Sequence, residues 1–210
     1  LAPTPALHAA AVSKPPLPPV FGFMRPPGWD DHAEPQLKEA FNELIAALGD
    51  QAFELPLPSV FQSAVEQRKM INFAEMAYHY YPYARDMGVQ LGQVTRDAIT
   101  KGNAVLARDY QSACDMPKVL NAALDELLTR CDALICPSAT GPAPRGLETT
   151  GDPIFNGLWT FCGAPCISLP LLTSVEGLPM GVQLVGERGN DARLMRTAQW
   201  LFDWADGATQ

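Results

Sequence analysis

Seven serines, five cysteines and three histidines are the residues here whose types most often carry nucleophilic or metal chemistry, and their spacing restricts what they can do. No two serines are adjacent and none is flanked by glycine. Ser168 falls inside the apolar run Cys166-Ile-Ser-Leu169 rather than on a sharp G-x-S-x-G turn, so it reads as a polar side chain within a sheet. His8, His32 and His79 form no H-E-x-x-H pair, and a Ser-His-Asp triad has little material to draw on. The Cys131/Cys136 and Cys162/Cys166 pairs lack the C-x2-C knuckle that presents two sulfurs to a tetrahedral metal. With Cys114 they read as free thiols, mostly buried, in a reducing compartment. Glu75, Asp86, Asp109, Asp132 and Asp152 show no spacing that demands paired acid and base work. Neither G-x-G-x-x-G nor G-x-x-x-x-G-K-[ST] occurs, which removes the phosphate-cradling loops of nucleotide-binding proteins.

The elements that would have to position these residues read as α/β. Eight of the twenty prolines fall in the first 27 residues, so residues 1–19 are expected to form an extended connector. Val20-Phe-Gly-Phe-Met24 predicts a strand. Leu37, Phe41, Leu44, Ile45 and Leu48 then trace one helical face, with Pro35 in the first turn and Gly49 as the stop. Phe53-Glu-Leu55, ending at Pro56, predicts a second strand and completes a strand–helix–strand unit. Helical patterns run from Ser59 to about Tyr81 and from about Leu91 to Thr129, the latter with an apolar stripe through Ala113, Leu120 and Leu127. Ala133-Leu-Ile-Cys136 predicts a buried strand that ends at Pro137 in the loop Ser138–Pro144. Two more strands, Cys166–Leu169 and Gly181–Val185, precede a final helix from about Asp191. Loops leaving strand ends are where sites form in α/β proteins, so those after 133–136 and 166–169 are the places to look.

The 210 residues suit one domain of ordinary globular composition, with 47% hydrophobic and 18% charged residues. Fifteen Lys and Arg against 23 Asp and Glu give a net charge of -8, which disfavours a general grip on nucleic acid. No apolar run is long enough for a membrane-spanning helix and no signal peptide is legible, so a cytoplasmic location is expected. The chain starts at Leu1 rather than Met, and sequence upstream of it is expected.

The order of residues in the last third is more specific. Cys131-Asp-Ala-Leu-Ile-Cys-Pro137, Ala143-Pro144, Gly151-Asp-Pro-Ile-Phe-Asn156, Trp159-Thr160, Gly163-Ala-Pro165, Ile167-Ser-Leu-Pro170 and Gly177–Gly186 with Asp191 together resemble the C-terminal part of amidase-signature hydrolases. Phe21–Arg25 before Trp29-Asp30, Glu75-Met-Ala77, Gly102 and Asp109-Tyr110 fall in the same order, so the resemblance covers about residues 20–203. It implies an α/β fold, part of an α/β/α sandwich with a mixed sheet, and cleavage of small-molecule carboxamides without a cofactor or metal. In that family a serine nucleophile is activated by a neutral lysine through a second serine on a cis peptide bond, and backbone N–H groups of a Gly/Ser-rich loop hold the oxyanion. Those elements belong to an N-terminal region with a lysine-bearing segment and a Gly-Gly-Ser-Ser-Gly-Gly-like stretch. Neither occurs here, and Lys14, Lys38, Lys69, Lys101 and Lys118 lie in linker or helical positions.

The resemblance therefore implies that residues 20–210 are the C-terminal part of an amidase-signature domain, with no catalytic residue of their own and no activity alone. A partner, either the missing N-terminal segment or a complementing chain, or else self-association into a homo-oligomer, is expected to cover the apolar surface left by absent sequence. The resemblance assigns Pro137, Ser138, Asp152, Phe155, Asn156 and Trp159 to the substrate side. Asn156 would hydrogen-bond an amide, and Phe155 with Trp159 would wall an apolar group. For Asp152 the local reading favours an N-cap, with Pro153 opening the next helix. Trp159 is equally open to core packing. The alternatives are a binding or scaffold module without catalysis, and a transamidase component of the glutamine amidotransferase A type. The run Arg96–Lys101 departs from the arginine-rich stretch that the transamidase branch would carry near Gly102.

Overall fold

The computed structural model describes residues 5–87 and 90–208. Five strands form one mixed sheet in the order β2-β1-β3-β5-β4: β1 (Phe21–Phe23), β2 (Ala52–Glu54), β3 (Ala133–Pro137), β4 (Cys166–Thr173) and β5 (Pro179–Val185). β1 pairs in parallel with both β2 and β3, while β5 runs antiparallel between β3 and β4. The strands predicted from apolar runs are all present. What local pattern left open was their order and direction.

The period of two along a strand divides its side chains between two cores. Ala133 and Ile135 of β3 enter one core, whereas Leu134 and Cys136 enter the other. The first core is covered by α2 (Trp29–His32), α3 (Pro35–Leu48) and α9 (Asp191–Ala208). The second is covered by α4 (Ala64–His79), α7 (Ala107–Leu128) and a short 3-10 turn, Ser59–Ser63. Helices therefore cover both faces of the central strands, giving the α/β/α sandwich. α8 (Ile154–Cys162) serves both cores, with Ile154 and Phe155 in the first and Leu158, Trp159 and Cys162 in the second. Asp132 ties the layers together: one carboxylate oxygen accepts the Val20 N–H at 2.9 Å and the other accepts from Arg193 of α9 at 2.6 Å.

α3 has the predicted bounds, with Pro35 at its start and Gly49 as its cap in a conformation (φ 53°, ψ -125°) that side chains resist. Three expectations need correction. Residues 5–11 form a helix, α1 (Pro5–Ala11), that packs on α9. Proline at the first turn and the alanines behind it favour that helix, and docking stabilises it. Residues 12–20 have no helix or strand, and residues 1–4 lie outside the described residues. The stretch from Leu91 to Thr129 is two helices, α6 (Gln93–Asn103) and α7, separated at 104–106. α6 closes its last turn through Ala104, and α7 restarts with Asp109 in its first turn, where a carboxylate favours the helix dipole. The helical stretch expected from Ser59 opens as a 3-10 turn and becomes α4 only at Ala64; it ends near Tyr81 as expected, and a further helix, α5 (Tyr81–Met87), follows. Among the described residues no helix is long and apolar enough to cross a membrane.

Candidate functional site

The parallel strands β1, β2 and β3 all end at one edge of the sheet, and antiparallel β5 begins there, so the loop after β3 emerges among four strand termini. Backbone bonds hold that loop on both sides. The Ser138 N–H donates to the Gly181 carbonyl of β5 at 3.1 Å, and the Thr140 carbonyl accepts the Glu34 N–H at 2.8 Å from the turn before α3. Between these anchors lies a cleft of about 420 Å³, lined by Glu34, Thr140, Asp152, Asn156, Pro179 and Gly181.

Gly181 shapes the floor. A β-carbon there would collide with the Ser138 hydroxyl and come 2.6 Å from the Ser168 hydroxyl. The two hydroxyls thus converge over one glycine, because the ladder aligns Pro137 with Val182 and Ser168 with Gln183. Neither hydroxyl is bonded to another group among the described residues, which leaves both free to engage a ligand carbonyl or amide. Ser168 lies within β4, as its apolar run predicts, and its proximity to Ser138 is a matter of register across three strands.

The assigned residues separate into two groups. Asp152 and Asn156 line the cleft, and Ser138 sits half-buried beside it. Asp152 does not cap α8. Its carboxylate pairs instead with His32 Nδ1 at 3.2 Å, both side chains remaining about half exposed, while Pro153 takes the capping position with no side-chain bond. Pro137 is buried at the end of β3. Phe155 and Trp159 are fully buried and belong to the cores: Phe155 packs at 6.5 Å from Trp29, and Trp159 at 6.5 Å from Phe61. They support α8 from behind rather than wall the cleft. Helical spacing groups 155 with 159 but does not say whether that face meets a ligand or a core.

Four of the five thiols are poor nucleophiles in this setting. Burial pushes Cys131 up to about 11 and Cys162 and Cys166 up to about 12, and Cys136, wholly enclosed beside Trp159, is raised further. The cleft therefore offers hydroxyls, a carboxamide and two carboxylates, Asp152 already paired with an imidazole and Glu34 accepting from Gln36. Such groups orient and hydrogen-bond a substrate, but none is a serine bonded to a base.

Comparison with known proteins gives the family of the chain. The family model for amidases matches residues 3–195. The chain belongs to the amidase family. The A component of the glutamyl-tRNA(Gln) amidotransferase of Chlamydia trachomatis serovar L2 is 28% identical, with the match covering 80% of this chain and 41% of that protein. The Treponema denticola protein of the same name is also 28% identical, over 56% of this chain and 27% of its own length. Among solved structures, an amidase aligns at a TM-score of 0.77 with 25% identity, covering 92% of this chain and 47% of that one. A 6-aminohexanoate cyclic dimer hydrolase aligns at 0.74 with 19% identity, covering 98% of this chain and 48% of that one, and shares the fold. This amidase-family chain spans 27–41% of the length of the curated relatives compared and just under half of these solved structures.

Proposed function

We propose that this chain forms the substrate-side part of an enzyme that hydrolyses a small carboxamide to a carboxylate and ammonia or an amine, with the serine nucleophile, its serine–lysine relay and the oxyanion loop supplied by another segment or chain. The observation that carries the reading is the cleft at the strand ends of an amidase-family fold. Its Asn156 wall, and the unbonded Ser138 and Ser168 hydroxyls that meet at Gly181 beside it, suit the recognition of an amide, while the chain contains no adjacent serines. In the reaction the supplied serine attacks the amide carbonyl, the amine leaves with a proton, and water releases the acid. One missing oxyanion donor already costs about 3–4 kcal/mol, so a site without nucleophile, base and oxyanion loop has no measurable turnover. β4 at the sheet edge, with Ile167, Leu169 and Leu171 only partly buried, supports a partner segment or a second copy beside it.

The test is ammonia release from a panel of primary amides. The 210-residue chain alone is expected to release none. The same chain joined to, or mixed with, a polypeptide carrying the lysine and paired-serine region is expected to turn over, and to lose affinity for the amide on Asn156→Ala. Hydrolysis by the chain alone overturns the proposal. A second reading, a component of a transamidase, is favoured by the curated relatives named above. Glutamine as the preferred amide in the complemented assay would select it over a simple amidase.

A further inference from the structure

A second, roomier cavity lies away from the β3 loop. It is an open pocket of about 950 Å³ where the ends of α4 and α6 meet the starts of α5 and α7. Gly102 makes it possible, because without a side chain there α6 lies directly on the backbone of α4 at Phe73. The walls carry three phenol rings, Tyr78, Tyr81 and Tyr110, around the carboxylate of Glu75. Tyr78 and Tyr81 are 76% and 61% exposed, far more than rings held for packing. The Tyr110 hydroxyl donates to Glu75 Oε1 at 3.2 Å, and its bonds to Cys114 and Glu75 raise its own titration to about 12, so it stays a donor. Among the described residues Glu75 makes no ion pair, and no lysine or arginine lines the pocket; His79 is the one wall side chain able to carry positive charge. On the same helix pair the Lys101 ammonium sits 5.2 Å from the centre of the Phe73 ring, which shows a cation already held against an aromatic face.

A carboxylate without a cationic partner, set among electron-rich ring faces, attracts positive charge, and the rings add dispersion with any alkyl groups around it. A metal ion would need several oxygen ligands, whereas one carboxylate is present. An anion is repelled by Glu75. We propose that this pocket binds a small organic cation, an alkylammonium or quaternary ammonium ion, with its charge against Glu75 and its alkyl groups against Tyr78, Tyr81 and Tyr110. The site is separate from the amide cleft and does not depend on the chain's catalytic role.

Calorimetric titration of the 210-residue chain with choline, at constant ionic strength set with sodium chloride, tests it against the neutral isostere 3,3-dimethylbutan-1-ol. Choline is expected to saturate one site, with the alcohol at least about tenfold weaker, since it lacks only the charge. Glu75→Gln is expected to weaken choline about tenfold, and Tyr78→Ala about two- to fivefold, as befits one exposed ring. Both side chains are exposed, so far-UV circular dichroism should match the parent chain. Absence of choline binding, equal binding of the alcohol, or unchanged affinity in Glu75→Gln would each overturn the proposal.

Discussion

Replacing Gly102 by alanine adds one methyl group at the closest approach of two helices. A β-carbon at 102 would stand 2.6 Å from the Phe73 carbonyl carbon and 2.7 Å from the Ala77 methyl, and would overlap the Phe73 carbonyl oxygen. Ordinary contacts between such atoms are about 3.5–4 Å, so α6 must lift from α4 by about 1 Å. The obstruction is backbone held inside a helix, and no side-chain rotation can relieve it. Alanine in a helix interior gains about 1 kcal/mol over glycine, whereas forcing a methyl group into a closed contact costs about 1–3 kcal/mol, with backbone collisions at the upper end. The net expectation is a loss of about 1–2 kcal/mol, or a fall in Tm of about 2–8 °C for a chain of this size. Urea and thermal unfolding followed by circular dichroism measure it. Gly207→Ala in α9 is the control, since a β-carbon there meets nothing and should leave stability equal or slightly higher. If Gly102→Ala is as stable as the parent chain, the close approach of α4 and α6 is not as described, and the walls of the tyrosine pocket must be redrawn with it.

Two further outcomes follow from buried groups. At pH 8 iodoacetamide should modify Cys114 readily in the folded chain, with Cys131, Cys136 and Cys162 reacting only after unfolding; native labelling at any of these three would contradict their burial. The same burial predicts the sign of alkaline sensitivity. Cys131, Cys162 and Cys166 are raised from 9.0 to about 11–12, so the folded state keeps protons that the unfolded state has lost. Their contribution is complete below pH 9 and is lost as pH rises toward 11–12, and a urea midpoint higher at pH 10.5 than at pH 8 would refute it. Asp132→Ala leaves the Val20 N–H and Arg193 without their partner and should cost about 1–3 kcal/mol, while Asp132→Asn, which keeps an acceptor for Val20, should cost less. Equal unfolding midpoints for the two variants would argue against the Val20 bond.

Much of the architecture was legible because it depends on neighbours a few residues apart. The spacing of Leu37, Phe41, Leu44 and Leu48 is enough to define α3, and Pro35 with Gly49 is enough to end it. The fully apolar run Ala133–Cys136 declares a strand covered on both faces, which is where β3 lies. The same locality explains the failures. Val12–Val20 lacks regular structure as its prolines require, yet Ala6–Ala11 becomes helical once α9 offers a surface, and no pattern within the segment announces that surface.

The amino-acid sequence by itself determined the strands and α3, the membership in a hydrolase family through many short matches in order, and the absence of a paired-serine stretch from these 210 residues. Only the tertiary structure decided which residues meet. Strand register brought Ser138 and Ser168 over Gly181, packing turned Phe155 and Trp159 inward while Asn156 faced the cleft, and chain reversal set Asp152 against His32. The reason is physical: periodicity reports which side chains share a face, whereas the choice of what that face meets is made by contacts between segments far apart in the chain, each worth little until the whole sheet is assembled.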